Sequence, residues 1–440
     1  MCNAAWGPDI LRPMELPSPE VLPQLLRQAL AGEAQGPLQA VVAESLARGV
    51  RPFLVGGFVR DLLLGRPLPH DLDIVLPGDA VPVAQALKQK QGWHVLVHGR
   101  FHTATLRAGA IGLDLATARR ERYARPGALP SVEAPASLEE DLFRRDFTVN
   151  AMALSLAPDS FGRLHDPYEG RRDLAAGLLR VLHERSFQDD ATRLWRACRY
   201  AARLGLRLER RTSRLAHRDA GYIMSVGRDR VRHELERILQ EERPEKALAL
   251  AQRYRLSVQV HSALTWDGWL SRRFAAARRA SGSPEITPEG ALPRQYWGLW
   301  LYRLEASALG EVLRTLNIAG RRALPLEALP DLKRRVARLA PGIRPSTLAR
   351  RLDPFDPLSL HVAYLAQGPG ARRRLLAHYL EEDRPTRPLL SGADLQALGV
   401  PAGPALGRIL GALRDARLDK RVKTREDEAA LVRRLVASGA

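Results

Sequence analysis

Between Pro52 and about Leu182, apolar and polar positions alternate in short runs: PFLV, LDIVL, HVLVH, TATLR and IGLDLAT. A period of two predicts strands. FVRDLLLG and VPVAQALKQ, set between these runs, carry the 3.6 period of helices, so this region reads as α/β with a small mixed sheet. Ahead of it, VLPQLLRQALAG and PLQAVVAESLARG read as two helices, each ended by glycine, in a lead-in over residues 1–50. Beyond Phe187 the strand pattern nearly vanishes. ATRLWRACRYAARLGL and RDRVRHELERILQ open a succession of amphipathic helices that runs to the C-terminus, with Pro/Gly-rich joints near 281–294, 340–346 and 381–392. The expected plan is α+β: a mixed-sheet segment at 51–182, a helical segment at 183–270 and a helical remainder at 271–440, with no internal repeat of fixed period.

Within that pattern, some polar residues stand where packing alone would not put them. Phe53 to Val55 runs through Gly56 and Gly57 straight into a helix. Glycines let a ligand approach the backbone, the N–H groups of a helix start favour phosphate, and Arg60 one turn in adds charge. A Gly-Gly turn is also a plain strand-to-helix connection. About a dozen residues later, Asp71 and Asp73 enter a strand, where alternation projects both to one face while Leu72 and Ile74 point the other way. Two like charges so placed call for something positive between them. An anion cradle beside two carboxylates is the arrangement in which Mg2+ bridges protein and triphosphate, which makes Asp71 and Asp73 the candidate metal ligands. Asp114, opposite in facing to Leu113 and Leu115, is the candidate third catalytic carboxylate; alone it reads equally as an exposed strand acid.

Two further clusters follow. In EEDLFRRDFTVNA, residues 139 to 151, Arg144, Arg145, Asp146 and Asn150 project from an apolar run. Arg145 is expected to meet phosphate, with Asp146 and Asn150 available to a ribose; the alternative is a solvated surface. In DDATRLWRACRYAARLG, Asp190 and Arg193 read as i, i+3 neighbours on a helix, continued by Arg196, Arg199 and Arg203. Blandly this is an intrahelical ion pair. More sharply, a carboxylate only accepts and a guanidinium only donates. Adenine and cytosine offer an amino donor beside a ring acceptor, while guanine and uracil present the reverse. A fixed Asp–Arg pair would therefore take ATP and CTP without a template.

Composition changes the picture in one respect. The 440 residues carry 68 Lys plus Arg against 49 Asp plus Glu, a net charge of +19, which points to a polyanionic partner such as nucleic acid; a generally basic surface is the alternative. Cys2 and Cys198 are too few for a disulfide framework or thiolate metal site. No stretch approaches the roughly 18 apolar residues of a membrane span, so a cytoplasmic protein without a membrane partner is expected.

Taken together, GGFVRDLLLGRPLPHDLDIV, LDLATARRE, RRDFTVNAMAL, HDPYEGRRDL and DDATRLWRACRYAARLG resemble, in order and spacing, the class II tRNA nucleotidyltransferases of the bacterial CCA-adding enzyme and poly(A) polymerase family. The resemblance covers about residues 52 to 240. It implies a nucleotidyltransferase head followed by all-α neck, body and tail, with Mg2+ at Asp71 and Asp73. Nucleotide contacts are implied from Gly57, Arg60, Arg145, Asp190, Arg193, Arg196 and Arg199. The family's base-selecting EDxxR motif here begins with Asp189 instead of Glu. The implied partners are tRNA, ATP and CTP, and the implied reaction adds C and/or A to the tRNA 3′ end. The alternatives are a poly(A) polymerase, an enzyme adding only A or only CC, a small-molecule nucleotidyltransferase, and a non-catalytic RNA-binding protein in which the three acids would lie apart. The loop ERYARPGALPSVEAPASLEED is not shortened as in CC-only members. SGADLQALGVPAGPALGRILGAL, residues 391 to 413, could hold tRNA or be a plain helix-turn-helix, and RRFAAARRA near residue 272 reads as a solvated helix face.

Overall fold

The computed structural model describes residues 14–68, 71–280 and 292–437. Cys2 and most of the 281–294 joint lie outside the described residues. Backbone contacts divide the chain into two compact units, Met1–Gln259 and Val260–Ala440.

In the first unit, helices α1 (Leu22–Ala29) and α2 (Gln35–Leu46) precede a seven-stranded mixed sheet. Its strands are β1 (Phe53–Val55), β2 (Asp71–Leu76), β3 (His94–His98), β4 (Thr103–Ala108), β5 (Ile111–Thr117), β8 (Ala153–Ser155) and β9 (Leu164–His165). Their spatial order is β3-β4-β5-β2-β1-β8-β9. Only β2 and β5 run parallel; every other neighbouring pair is antiparallel. All five expected strands are present, and FVRDLLLG and VPVAQALKQ form α3 (Gly57–Leu63) and α4 (Ala80–Gln91). The apolar positions of the central strands are sealed: Leu54, Ile74, Leu106, Leu113 and Leu115 are each 0% exposed. Helix α4 covers β3, β4 and β5.

Three features escaped the alternation pattern because they are too short to show a period. A separate ribbon joins β6 (Arg120–Arg122) to β7 (Ser131–Glu133). Helix α5 (Leu138–Phe143) is opened by a capping box between Ser137 and Glu140, which satisfies two N–H groups that the helix start leaves free. The third is a brace. The Asp166 carboxylate accepts the N–H groups of Gly170 and Arg171 at the start of α6 (Gly170–Ala175), and Asp173 accepts the Thr148 hydroxyl and the Arg180 guanidinium. Gly170 lies so close under the 148–150 turn that an added Cβ would sit 2.2 Å from the Thr148 carbonyl oxygen.

The rest of this unit is helical. A two-residue parallel ladder pairs β10 (Leu178–Leu179) with β11 (Arg207–Leu208). Of helices α7 (Ser186–Asp189), α8 (Thr192–Leu204), α9 (Arg210–Asp219), α10 (Arg228–Leu239) and α11 (Pro244–Arg253), α7, α10 and α11 pack on α8, whose Trp195 is fully buried. Cys198 on α8 is buried as a free thiol.

In the second unit every regular element among the described residues is helical. The solvated-face reading of residues near 272 holds only in part, because Arg273 turns inward and donates to the carbonyls of Leu365 and Gln367. The 391–413 stretch forms helices Gly392–Ala397 and Pro404–Leu418. Buried Glu428 ties the preceding joint to the last helix by accepting the N–H groups of Leu389 and Leu390. No helix among the described residues is long and apolar enough to cross a membrane.

Replacing Gly170 with Ala would push on backbone rather than on a pliable side chain. The expected cost is about 1–3 kcal/mol, read as a lower urea midpoint at unchanged slope; a variant as stable as the parent would remove the brace from the account of this fold.

Candidate active site

The sheet's register builds the centre of the site. Asp71 and Asp73 are the exposed positions of β2, alternating with buried Leu72 and Ile74. Because β5 runs parallel, Asp73 stands directly opposite Asp114, and Asp71 stands opposite Gly112. Two rows therefore cross the sheet. In one, Asp73 neighbours Asp114, whose carboxylate accepts the Thr105 hydroxyl of β4 at 2.7 Å. In the other, Arg107 of β4 reaches past Gly112 to Asp71 at 3.5 Å. Gly112 has to be glycine for this, since a Cβ there would lie 1.9 Å from Asp71 Oδ1. The expected positive group is thus Arg107 for Asp71 and, for Asp73, Arg145. The Asp73 side chain opens to solvent, yet the protein crowded around it removes enough water to raise its pKa above the ordinary carboxylate range; Arg145 opposes the rise, and the charges of Asp114 and Asp71 add to it.

Gly56 connects β1 to α3 with φ 73° and ψ −130°, a backbone region open essentially to glycine alone. A Cβ there would also meet Arg145 Nη1 at 2.9 Å. Arg60 differs from its expected placement. It is 3% exposed, donates Nε and Nη2 to the Asp61 carboxylate and Nη1 to Asn150 Oδ1, and lies over the Tyr200 ring. Its guanidinium does pack against Gly57, where an added Cβ would lie 3.4 Å from Nη2, but its donors are taken by Asp61 and Asn150, so Arg60 braces Asn150 beside the glycine turn.

Arg144 and Arg145 are not solvated. Fully buried Asp141 accepts from both and from the Arg119 N–H. Burial opposes its ionisation, but the two guanidiniums outweigh it and hold the carboxyl below its ordinary range. Asp146, expected to be available to a ribose, is saturated. It accepts from the Phe147 N–H, from Asn150 Nδ2 and twice from Arg196, which uses all of the roughly four lone-pair sites of a carboxylate. Here too burial is outweighed, by Arg196 and Asn150, and the pKa is lowered.

The Asp190 region departs most from the sequence reading. Asp190 is not on a helix: it has extended backbone between α7 and α8. Its carboxylate accepts the N–H and hydroxyl of Thr192 and, at 2.8 Å, the Arg230 guanidinium from α10. It makes no ion pair with Arg193, which instead donates to the Ser186 hydroxyl and the Arg144 carbonyl. The intrahelical pair is thereby overturned, because α8 starts two residues too late for it. Arg199 also departs: it is buried, reaches Glu234 at 3.4 Å and Glu241 at 3.6 Å, and packs over Tyr200 at 4.6 Å. It does not line the cavity, whereas Arg203 does.

That cavity, of about 1020 Å³, brings together Gly56, Gly57, Arg60, Asp71, Asp73, Asp114, Arg145, Asp146, Asn150, Asp190, Arg193 and Arg196. The three acids do not lie apart. Arg144, named in its cluster but given no role, also lines it, as do residues the sequence reading missed: Tyr123, Thr192, Arg230 and Glu234. For the last two a signal existed, since Arg230 and Glu234 are i, i+4 on a helix that the 3.6 pattern marked. Tyr123 sits in a loop and carried none. Among the described residues no group of three or more His, Cys, Asp or Glu is arranged to hold a metal ion. Asp71 and Asp73 nevertheless suit Mg2+, a hard cation usually held by one or two carboxylates together with phosphate oxygens; the Asp73 pKa is raised first by desolvation and then by the charges of Asp114 and Asp71, against which Arg145 acts.

Known proteins resemble this chain over the same segments. Residues 52–180 match the poly A polymerase head domain family. The A-adding tRNA nucleotidyltransferase of Aquifex aeolicus is 41% identical over 232 residues, 52% of this chain and 28% of that protein. The A-adding enzyme of Halalkalibacterium halodurans is 34% identical over 369 residues, 80% of this chain and 81% of its own. The CC-adding enzyme of Deinococcus radiodurans is 36% identical over 383 residues, covering 86% and 88%. Among solved structures, the Thermotoga maritima CCA-adding enzyme complexed with tRNA aligns over 97% of this chain and 100% of its own, with TM-score 0.76 and 26% identity.

A carboxyl whose folded-state pKa is raised favours folding only while protonated. That contribution is complete below the unfolded value and is lost as pH rises through the folded one. Charged Asp73 therefore works against the fold at neutral pH. Asp73→Asn should raise Tm at pH 7, and the gain should shrink to nothing as pH falls below the ordinary carboxylate range. A variant less stable than the parent at pH 7 would show that desolvation and the neighbouring acids do not hold Asp73 against ionisation.

Proposed function

This chain belongs to the bacterial tRNA nucleotidyltransferase family, and from that premise we propose that it adds C, A or both to the tRNA 3′ end from CTP and ATP without a nucleic-acid template. The observation that carries the reading is the β2/β5 register, which sets Asp73 against Asp114 beside Arg145 in one cavity. The head at 51–182, neck at 183–270 and body with tail at 271–440 divide the work into catalysis, base selection and RNA holding, in the cytoplasm where tRNA ends are made.

In this reading the tRNA 3′-hydroxyl attacks the α-phosphate, a new P–O bond forms, and pyrophosphate leaves. Asp71 and Asp73 would hold Mg2+, which when bound screens triphosphate charge and lowers the pKa of the attacking hydroxyl. Asp114, with one oxygen taken by Thr105, orients that hydroxyl through the other. Arg145, fixed by Asp141, faces the phosphates. Base choice rests on what Asp190 and Arg193 have left to offer. Asp190 accepts three hydrogen bonds from Thr192 and Arg230, leaving about one acceptor site for an exocyclic amino group; Arg193 has used two of five N–H groups and can donate to a ring nitrogen.

The test offers labelled ATP, CTP, GTP and UTP to tRNA ending at the discriminator base, after one added cytidine and after two. Incorporation confined to C and A, stopping at a fixed length, is expected; an open-ended adenosine tail would assign poly(A) synthesis instead. Asp71→Ala and Asp73→Ala should each lower incorporation by roughly 10²-fold or more while tRNA binding survives. Gly112→Ala should do the same with Tm nearly unchanged, because only the mobile end of Asp71 has to move. Asp190→Ala should admit GTP and UTP, and continued exclusion of both would sink the base-edge argument.

A further inference from the structure

A second recess, of about 620 Å³, opens beside the catalytic cavity and shares Glu121, Tyr123, Arg144 and Arg193 with its wall. Its floor is aromatic. Phe143, the last residue of α5, is 44% exposed and has the rings of Tyr168 and His183 beside it, with centroids at 5.6 and 5.3 Å. Both neighbours are set in place. The Tyr168 hydroxyl donates to the Glu139 carbonyl at 2.9 Å, and His183 lies tilted by 35° against Phe143. Burial, with Arg193 and Arg185 nearby, brings the His183 pKa down to about 4, so its ring is neutral at neutral pH. Folding gains little from leaving a phenylalanine open to water in this position.

Charge at the rim helps to identify the occupant. Arg120, Arg122 and Arg185 present side chains 48%, 66% and 67% exposed. They do not form a free cationic patch: Arg120 pairs with Glu133 and Glu140, Arg122 with Glu133, and Arg185 approaches Asp189 at 3.9 Å. With charge so nearly balanced, phosphate attraction alone would hold little, and stacking has to supply the affinity. Unpaired RNA bases are bound in this way, on aromatic faces with guanidinium groups nearby.

We propose that Phe143, Tyr168 and His183 form a stacking platform for an unpaired nucleobase of the RNA strand whose 3′ end enters the catalytic cavity. This rests on the nucleotidyl-transfer reading above. The incoming nucleotide is accounted for by Asp190 and Arg193 in the first cavity, whereas the strand that ends there needs a path past the shared wall. Phe143 directly precedes Arg144 and Arg145, both held by Asp141, so the platform and the phosphate-facing arginine are parts of one fixed segment.

The experiment measures fluorescence anisotropy of the full-length protein with two tRNAs, one ending flush with the paired acceptor stem and one carrying unpaired 3′ nucleotides, alongside steady-state incorporation. Wild type is expected to bind the extended end more tightly. Phe143→Ala should lose about tenfold in affinity for that end and raise KM for tRNA, leave flush-end binding and the KM for CTP and ATP in place, and be restored by Phe143→Trp. The platform is overturned if wild type does not distinguish the two ends, if Phe143→Ala binds both as wild type does or weakens both equally, or if the KM for CTP or ATP moves instead. A wild-type protein that incorporates no nucleotide would defeat the nucleotidyl-transfer reading itself; incorporation with an unmoved Phe143→Ala variant defeats the platform alone.

Discussion

Three carboxylates share one face of a sheet whose other face is sealed in apolar core, and their mutual repulsion is the constraint around which this unit is arranged. Such a grouping is tolerated when hydrogen-bond donors and cations are fixed around it. Thr105 and Arg107 on β4 supply two of these for Asp114 and Asp71, and Arg145 supplies the third for Asp73. The Asp73 pKa stays raised despite Arg145, chiefly by desolvation and further by Asp114 and Asp71. An ionised Asp73 is therefore costly until a cation arrives with a ligand, so the local cost in stability and the capacity for chemistry have one origin.

A second layer of buried charge holds the surroundings in register. Asn150 bridges Arg60 to Asp146, Asp146 accepts from Nε and Nη2 of Arg196, and Arg60, Arg196 and Arg199 gather around the Tyr200 ring at 5.3, 5.4 and 4.6 Å. Buried ion pairs of this kind add little net stability, since desolvation offsets the attraction, but losing one partner strands the other. Their effect is geometric. They lock the 146–150 turn to α8, so that residues from the strand end, the turn and the helix face one cavity. Burial reinforces this, because Arg196 is held more firmly charged by Asp146 and Glu234 even though burial by itself would favour the neutral form.

Period-two and 3.6 patterns made β2 to β5, β1 at the end of its own apolar run, and the helices around them legible, because each apolar stripe in them has a single core to face. They were silent on β6 through β9 and on the 148–150 turn, which are two or three residues long or follow the chain rather than a stripe. Asp71, Asp73 and Asp114 could be read for the same reason as the strands: alternation assigns a face. Arg60, Asp146 and Arg199 were read as ligand contacts from position and polarity, Arg60 and Arg199 also from the family resemblance, and in the fold their charge is met by Asp61, Arg196 and Glu234. Asp190 and Arg193 were read as helical neighbours from spacing, which cannot see that the backbone is extended at Asp190.

By itself, then, the sequence determined the strands and helices, the face each acid occupies, and the chemistry on offer: carboxylates that accept, guanidiniums that donate, glycines where the backbone must turn left. Which of those groups stay free for a ligand was decided only in the tertiary structure. The parallel pairing of β2 with β5, the crossing of α8 by α10 and the setting of Phe143 beside Tyr168 and His183 all join residues far apart in the chain. Charge satisfaction is a property of such neighbours, and no local period in the sequence records who they are.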